Sequence, residues 1–231
     1  MACEEKKQAL IDWQVIDTVL LDMDGTLLDR HFDDYFWEHY VPEVFAGKNG
    51  IPIAQAKQTL LARYQGREGT LDWTDLDYWS RELGLDIPAL KIKINHLIAV
   101  HPYVVDFLKF CRKNNKAIHL VTNAHSKTLG IKMRKTALAG YFDQIVCAEQ
   151  IGVAKEDPAF WPWLEQNLGF DRKHAMFADD NEGVLDSAAT FGFGALVYVA
   201  KPSSTKPVRF STRYPSIVTF QELIPASSLI P

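Results

Sequence analysis

Two aspartates, Asp22 and Asp24, follow directly on a short apolar run and are separated by a single residue. Alternate residues of an extended segment point the same way, so both carboxylates can face one point beyond the end of a buried strand. Gly25 then allows a sharp turn. Because ligands bind at the carboxyl ends of the strands in a parallel α/β sheet, this spacing predicts a site built on two carboxylates.

Two other interpretations of this stretch are available. Asp and Gly favour turns, so the two acids can belong to a simple transition from strand to loop. A calcium loop of the EF-hand type is disfavoured, because Gly25 comes too early and no glutamate stands at the twelfth position of such a loop. Polar residues near the ends of later strands favour the functional interpretation.

These later polar residues are Thr122 and Asn123 after the apolar run 117–121, Lys155 in the loop after 144–147, and Asp179 and Asp180 after 174–178. Each has a plainer interpretation, because polar residues at a strand end often cap the next helix and a loop lysine is usually a surface residue. We expect Asp157 to cap the helix after Lys155 and Pro158 to occupy its first position. Lys155 would then lie at a helix N-terminus, which favours anions.

The four aspartates, brought to one edge of a sheet, would form a concentrated negative charge. Free Asp has a pKa of about 3.9, so all four would be ionised in isolation and would repel each other when packed together. A hard divalent cation with oxygen ligands, Mg²⁺, resolves this repulsion. Lys155 adds a positive charge, and Thr122 and Asn123 add neutral hydrogen-bond donors. This set of groups predicts a site for a phosphoryl group.

The two aspartates of the first motif are suited to different roles. One carboxylate can attack phosphorus and form an aspartyl-phosphate. The other can protonate the leaving oxygen and then take a proton from water. Asp22 lies at the strand end and should be the more rigid, so we assign it the attack. Asp24, in the turn, receives the acid/base role.

Composition limits the class of protein. The chain has 231 residues, is 47% hydrophobic and 23% charged, and carries a net charge of −4, which gives no reason to expect nucleic acid or an anionic membrane as a partner. The three cysteines, Cys3, Cys111 and Cys147, are far apart and odd in number, which fits a reducing compartment rather than a disulfide framework or a zinc site. Residues 1–8 lack the apolar region of a signal peptide, and no run is long enough to span a membrane. We therefore expect a cytoplasmic protein.

Helical patterns dominate residues 32–98, whereas strands and helices alternate from about residue 100 onward, with a further strand predicted at 194–199. This predicts an α/β core formed by 1–31 and 99–231, with 32–98 inserted as an all-helical domain. The insertion is rich in aromatic residues, which at helical spacing usually form a core. Together with three nearby cations, these aromatics could instead orient a flat base. The cations are Arg63, Arg67 and Lys91.

The helix after Asn123 carries Leu129 and Met133 on its apolar side. Several cations lie between and beyond these two residues, and we expect them to form mostly a solvated face. They are Lys127, Lys132, Arg134 and Lys135.

The polar residues above, in this order, resemble the four motifs of the haloacid dehalogenase superfamily, and the resemblance covers nearly the whole chain. It implies a doubly wound parallel sheet with a helical cap inserted after the first strand. Members that attack carbon generally lack the second aspartate of the first motif, so Asp24 implies a phosphatase. By the family pattern, Asp22, the Asp24 backbone carbonyl and Asp180 bind Mg²⁺, and Asp179 is either a ligand or a support.

A narrower resemblance is to the bacterial GMP/IMP 5′-nucleotidase subgroup, which implies a purine nucleotide as substrate. The stretches that carry it are 122–125, Gly152 with 155–157, 179–182, and 68–71 with 76–83 in the cap. Relatives often have Arg-Pro where this chain has His101-Pro102. Three alternatives stay open: a phosphatase of sugar phosphates or other small metabolites, a phosphomutase, and a non-catalytic binding module.

Overall fold

Within the part of the chain that the structure describes, six parallel strands form one sheet, which confirms the predicted α/β class. The computed structural model describes residues 10–67 and 70–228, apart from the side chain of Ser227. Cys3, the 1–8 segment, Glu68 and Gly69 lie outside the described residues. The strands are β1 (Thr18–Leu21), β2 (Ala117–Thr122), β3 (Gln144–Cys147), β4 (Ala175–Asp179), β5 (Ala195–Val199) and β6 (Ser216–Ile217). Their order across the sheet is β3-β2-β1-β4-β5-β6, so β1 is central and the chain reverses its direction of progress between β1 and β4.

Helices connect the strands and fill the insertion after β1. In chain order they are α1 (His31–Tyr35), α2 (Val41–Asn49), α3 (Ile53–Gln65), α4 (Leu71–Thr74), α5 (Leu76–Leu83), α6 (Ile87–Lys93), α7 (Val104–Lys113), α8 (Ser126–Thr136), α9 (Ala148–Ile151), α10 (Phe160–Leu168) and α11 (Glu182–Phe191). A π-helical segment, Phe36–Tyr40, joins α1 to α2. Within the described ranges, no helix combines the length and the apolar character that crossing a membrane requires.

Apolar packing covers both faces of the sheet. Successive strand residues point to opposite faces, so Val19 and Leu21 of β1 belong to one buried cluster and Leu20 belongs to the other. Helix α7 packs in the first cluster, and α10 and α11 pack in the second. Helices on both faces are the arrangement of a doubly wound fold, as the sequence resemblance implies.

The insertion is helical, and its two connections to the sheet run side by side. The peptide N–H of Asp29 donates to the carbonyl of Ala99 at 2.9 Å, and that of His101 donates to the carbonyl of Leu27 at 2.9 Å. Apolar side chains of the insertion, including Phe36, are continuous with the cluster on one face of the sheet. The division into separate core and cap domains stays a prediction.

Helix α5 shows how local sequence signals set the insertion's elements. Its apolar residues Leu76, Trp79 and Leu83 recur at a spacing of three and four and are all buried. The Asp75 carboxylate caps the first turn by accepting from the peptide N–H of Asp77 at 2.7 Å. Gly84 ends the helix with a φ of 60°, in the left-handed region that favours glycine.

One predicted helix start is wrong by two residues. Helix α10 begins at Phe160 rather than at Pro158. The reason is that Asp157 closes a separate turn, in which its peptide N–H donates to the carbonyl of Ala154 at 3.0 Å and its carboxylate accepts from the peptide N–H of Ala159 at 2.8 Å. Lys155 therefore lies in this preceding turn.

Candidate active site

The register of the strands brings the predicted acids together. Leu21, the last residue of β1, pairs with Ala178 of β4, and the peptide N–H of Asp22 donates to the Ala178 carbonyl at 3.0 Å. Asp22 therefore lies beside Asp179, as expected for residues at the same edge of a parallel sheet. Both side chains are buried, and both border the large cavity that lies between the sheet edge and the insertion.

Gly25 allows the turn that follows β1 to pass close to Asp180. Its φ is 93°, and its peptide N–H donates to the carbonyl of Leu28 at 2.8 Å. A Cβ atom at this position would lie 2.5 Å from Oδ2 of Asp180. Any residue with a side chain would therefore meet both an unfavourable backbone conformation and a steric conflict with a predicted metal ligand.

Lys155 is a buried member of the site and not a surface residue. Its Nζ lies 2.6 Å from Oδ1 of Asp22 and 2.6 Å from Oδ2 of Asp179, and its side chain is 2% exposed. Burial lowers the pKa of Lys155, but Asp179 and Asp22 more than offset this, and the net pKa is above the usual value. The lysine is therefore a fixed ammonium group between two carboxylates.

Thr122 and Asn123 do not cap the next helix. His125 does so, since its Nδ1 accepts from the peptide N–H of Lys127 at 3.3 Å. The Thr122 hydroxyl oxygen accepts from the peptide N–H of Ala124 at 3.0 Å, which leaves its own proton to be donated elsewhere. The side chain lies at the cavity wall, so the arrangement suits an incoming phosphoryl oxygen.

Asn123 supports the loop that carries Lys155. Its Oδ1 accepts from the peptide N–H of Lys155 at 2.9 Å, and its Nδ2 donates to the Glu156 carboxylate at 2.8 Å. The observed role is thus to hold Lys155 in place. Direct contact between Asn123 and a substrate stays a prediction.

The two adjacent acids at the end of β4 also have roles other than capping, because Asn181 caps α11. Both oxygens of Asp179 accept from protein donors: Oδ1 from the peptide N–H of Asn181 at 2.8 Å and Oδ2 from Lys155. Asp180 accepts through Oδ2 from Nη1 of Arg30 at 2.8 Å. Arg30 is a site residue that the motif analysis did not identify, although it directly follows the first motif.

The raised pKa values of Asp179 and Asp180 indicate that the protein's own cations do not fully compensate the negative charge of these carboxylates. Burial raises the pKa of Asp179 to about 7, with Lys155 opposing and Asp22 adding to the shift. Burial and the two neighbouring carboxylates also raise the pKa of Asp180 well above its ordinary value. A bound cation would favour the ionised forms of both.

The donor set fits a hard divalent cation. Carboxylate oxygens of Asp22, Asp179 and Asp180 all lie within 4.8 Å of one another. An all-oxygen set of this kind suits Mg²⁺ better than zinc or copper, which prefer nitrogen and sulfur. Since protein donors already hold both oxygens of Asp179, the geometry favours Asp22 and Asp180 as ligands and Asp179 as a support.

Asp24 faces a second lysine, Lys132, and the prediction of a mostly solvated face on α8 is wrong for this residue. Lys132 is buried, and its Nζ contacts Oδ1 of Asp24 and Oδ2 of Asp33. Burial raises the pKa of Asp24 to about 6; Lys132 lowers it, whereas Asp33 and Asp22 add to the rise. An acid with a pKa near neutrality can both donate and accept a proton, as the acid/base role requires.

The rest of the helix α8 prediction is partly right. Arg134 and Lys135 are exposed, and Lys127 is half-exposed and pairs with Asp77. Of the two expected apolar residues, Met133 is buried and Leu129 is half-buried, and the buried face of α8 also carries Thr128, Ile131 and Lys132.

The cavity beside these residues has a volume of about 970 Å³. Its wall on the insertion side includes Trp37, Tyr64 and Trp73. Most other aromatic residues of the insertion's predicted stripe, such as Trp79, are core residues, as the simpler interpretation expected.

Of the three cations that could orient a base, Lys91 lines the cavity, whereas Arg63 and Arg67 do not. Arg63 donates to the Glu82 carbonyl at 3.0 Å, and Arg67 donates to the Tyr78 hydroxyl at 2.7 Å. Lys91 is buried against a carboxylate of α1. A role for these cations in base binding stays a prediction, which the aromatic wall of the cavity supports.

Comparison with known proteins gives consistent matches. The family model for haloacid dehalogenase-like hydrolases matches residues 16–192. The GMP/IMP nucleotidase YrfG of Escherichia coli K12 is 38% identical over 216 residues, which cover 94% of this chain and 97% of that protein. Phosphoglycolate phosphatase 1 of Pseudomonas aeruginosa is 27% identical over 191 residues, covering 76% of this chain and 70% of that protein.

A solved structure has the same fold. A HAD phosphatase from Thermococcus onnurineus superposes with a TM-score of 0.77 at 23% identity, covering 90% of this chain and 96% of that one. At this level of identity the match describes the fold alone. It includes both the sheet and the helical insertion, because its coverage extends over nearly the whole of each chain.

Proposed function

Because this chain belongs to the haloacid dehalogenase-like hydrolases, we propose that it is a Mg²⁺-dependent phosphomonoesterase that hydrolyses the purine nucleoside 5′-monophosphates GMP and IMP. The family membership confirms the resemblance that the four motifs indicate. The observation that carries the proposal is the buried Lys155 ammonium group, which holds Asp22 beside Asp179 at the wall of the cavity. The similarity to the GMP/IMP nucleotidase over nearly the whole of both chains supports the proposed substrate.

The reaction has two steps at the protein's own residues. An Asp22 carboxylate oxygen attacks phosphorus; the ester P–O bond breaks, and the leaving oxygen takes a proton from Asp24. Water then attacks the aspartyl-phosphate and gives its proton to the Asp24 carboxylate, which releases phosphate and restores Asp22. Lys155 and Thr122 face the phosphoryl oxygens, and Asn123 holds the Lys155 loop.

Mg²⁺, held by Asp22 and Asp180 with the Asp24 backbone carbonyl, would neutralise negative charge on the carboxylates and on the phosphoryl group. Asp179 would support this set through its bonds to Lys155 and Asn181. The insertion, 32–98, would act as a cap, with Trp37, Tyr64 and Trp73 offering aromatic surface to the base. Cys111 and Cys147, both buried and free, fit a cytoplasmic location.

The test is phosphate release from a panel of monoesters, measured with Mg²⁺ and with a chelator. The panel contains GMP, IMP, AMP, CMP, UMP, glucose 6-phosphate and phosphoglycolate. We expect the largest kcat/KM for GMP and IMP, and loss of turnover in the chelator that added Mg²⁺ restores. Preferred hydrolysis of sugar phosphates or phosphoglycolate would keep the chemistry and reject the purine substrate. Absence of turnover with every ester would reject the enzyme assignment.

A further inference from the structure

A chain of four alternating charges connects the turn after β1 with the insertion. Lys132 of α8 contacts Oδ1 of Asp24 and Oδ2 of Asp33, and Nζ of Lys91 lies 2.7 Å from Oδ1 of Asp33. Asp33 belongs to α1 and Lys91 to α6, so two of the four charges come from the insertion. The two lysine side chains are 1% and 2% exposed, and the four formal charges sum to zero.

We propose that Lys132 and, acting through it, Asp33 are positioning residues for the acid/base Asp24. This inference rests on the proposed function, since it assigns them to the step in which Asp24 gives a proton to the leaving oxygen. Neither residue belongs to the four motifs. Lys132 would fix the Asp24 carboxylate, and Asp33 would fix the Lys132 ammonium group.

The Asp24 side chain is less confined by its surroundings than the Lys132 side chain that it contacts. Its side chain is 24% exposed and extends from a turn, whereas Lys132 is packed in the interior with its Nζ 5.3 Å from the centre of the Phe32 ring. A flexible lysine buried in this way has lost most of its rotamers, so it can act as a fixed anchor. A proton donor must lie within hydrogen-bond reach of the leaving oxygen, and a fixed anchor keeps it there.

Lys132 is itself held in place by the other charges of this network. Lys132 is placed between two carboxylates, and the second of these, Asp33, is itself held by Lys91, which lies 4.6 Å from the centre of the Phe36 ring. Removing one charge from a buried network leaves its partner without compensation, which is costly. The insertion helices therefore influence the chemistry of the first motif as well as the shape of the cavity.

The test compares esters that differ in their need for a proton. The leaving group of p-nitrophenyl phosphate departs without protonation, whereas those of phenyl phosphate and alkyl phosphates need the acid. The ratio kcat/KM includes only steps up to leaving-group release, so hydrolysis of the phosphoenzyme does not affect it. We expect Lys132→Met to lower kcat/KM for phenyl phosphate by about 100-fold, but that for p-nitrophenyl phosphate only a few-fold. Lys135→Met, an exposed change on the same helix, should leave both unchanged.

Two further variants protect the test against misfolding. The double variant Asp33→Asn with Lys132→Met removes one charge of each sign and so keeps the network neutral, and it should show the same dependence on the leaving group. In an Asp24→Asn background, Lys132→Met should have no further effect on phenyl phosphate. Equal losses for both esters, or full multiplication of the Asp24 and Lys132 effects, would overturn the inference.

Failure of the proposed function can be told apart from failure of this inference. Hydrolysis of aryl phosphates without hydrolysis of GMP or IMP would reject the substrate and leave the leaving-group test intact. Absence of activity toward every ester would reject the proposed reaction. The placement of Asp24 by Lys132 would then be decided by urea unfolding of Asp24→Asn, Lys132→Met and their combination. Strictly additive effects on the free energy of unfolding would overturn it as well.

Discussion

Asp22→Asn is expected to lower kcat for every phosphomonoester by on the order of 10⁴-fold or more, with the fold retained. The carboxamide is not a nucleophile toward phosphorus. Its oxygen can still accept from Nζ of Lys155, as Oδ1 of Asp22 does at 2.6 Å. The hydrogen bond that the peptide N–H of residue 22 donates to the Ala178 carbonyl does not involve the side chain. The measurements are steady-state phosphate release and a urea unfolding curve of the same preparation.

Asp17→Asn is the matched control. Asp17 precedes the other end of β1, its side chain is exposed, and its observed bonds to the neighbouring strands use backbone atoms. The same chemical change at this position should leave turnover unchanged. Turnover in the Asp22 variant close to that of the control would remove Asp22 from the nucleophile role, whatever the substrate.

Among these single variants, Lys155→Met should lower the free energy of unfolding most. Without Mg²⁺, we expect it to lower the free energy of unfolding by about 3–5 kcal/mol, because it leaves the buried carboxylates of Asp22 and Asp179 without their ammonium partner. Methionine keeps the apolar stem, so packing is largely preserved. Turnover should also fall by about 10²-fold or more, since a group facing the phosphoryl oxygens is lost.

Added Mg²⁺ distinguishes charge compensation from packing. The cation would supply part of the positive charge that Lys155 provides, so the difference in unfolding free energy between the variant and the wild type should narrow when Mg²⁺ replaces the chelator. Lys109→Met, an exposed change on α7, should stay within about 0.5 kcal/mol of the wild type in both conditions. If Lys155→Met loses the same unfolding free energy with and without Mg²⁺, Mg²⁺ does not replace the Lys155 charge beside the Asp22 and Asp179 carboxylates.

The sequence was sufficient for the sheet and for the residues at its edge. Short, mainly apolar runs with polar residues at or just after their ends identify β1, β2 and β4, because a strand buried on both faces is apolar at most of its positions. Parallel register then brings those ends level, which is why Asp22, Thr122 and Asp179 all border one cavity. Their roles stay predictions until variants are measured.

The contacts made by long side chains could not be predicted in this way. Lys132 appears in a segment with three other cations, and composition alone suggests a solvated face. Its burial depends on Asp24 and Asp33, which are about 100 residues earlier in the chain and come close only in the folded protein. Arg30 likewise reaches Asp180 across 150 positions. Pairings between such distant residues have no local signal.

For the insertion, the sequence predicted the helices but not the positions of their aromatic side chains. Helical periodicity identified the helical character of residues 32–98, because elements such as α3 and α5 have an apolar stripe and a glycine after their last residue. Periodicity does not tell which aromatic side chains enter the core and which line a cavity. In the structure Trp79 is buried, whereas Trp37 and Trp73 lie at the cavity wall.

We propose that the enzyme releases phosphate through an aspartyl-phosphate at Asp22. The most direct test is to quench the enzyme with acid during turnover of GMP with Mg²⁺, reduce the acyl phosphate with borohydride, and map the peptides by mass spectrometry. We predict conversion of Asp22 to homoserine, which should disappear when GMP is left out. Rapid turnover with Asp22 unmodified, or with the modification at another aspartate, would show that Asp22 is not the nucleophile.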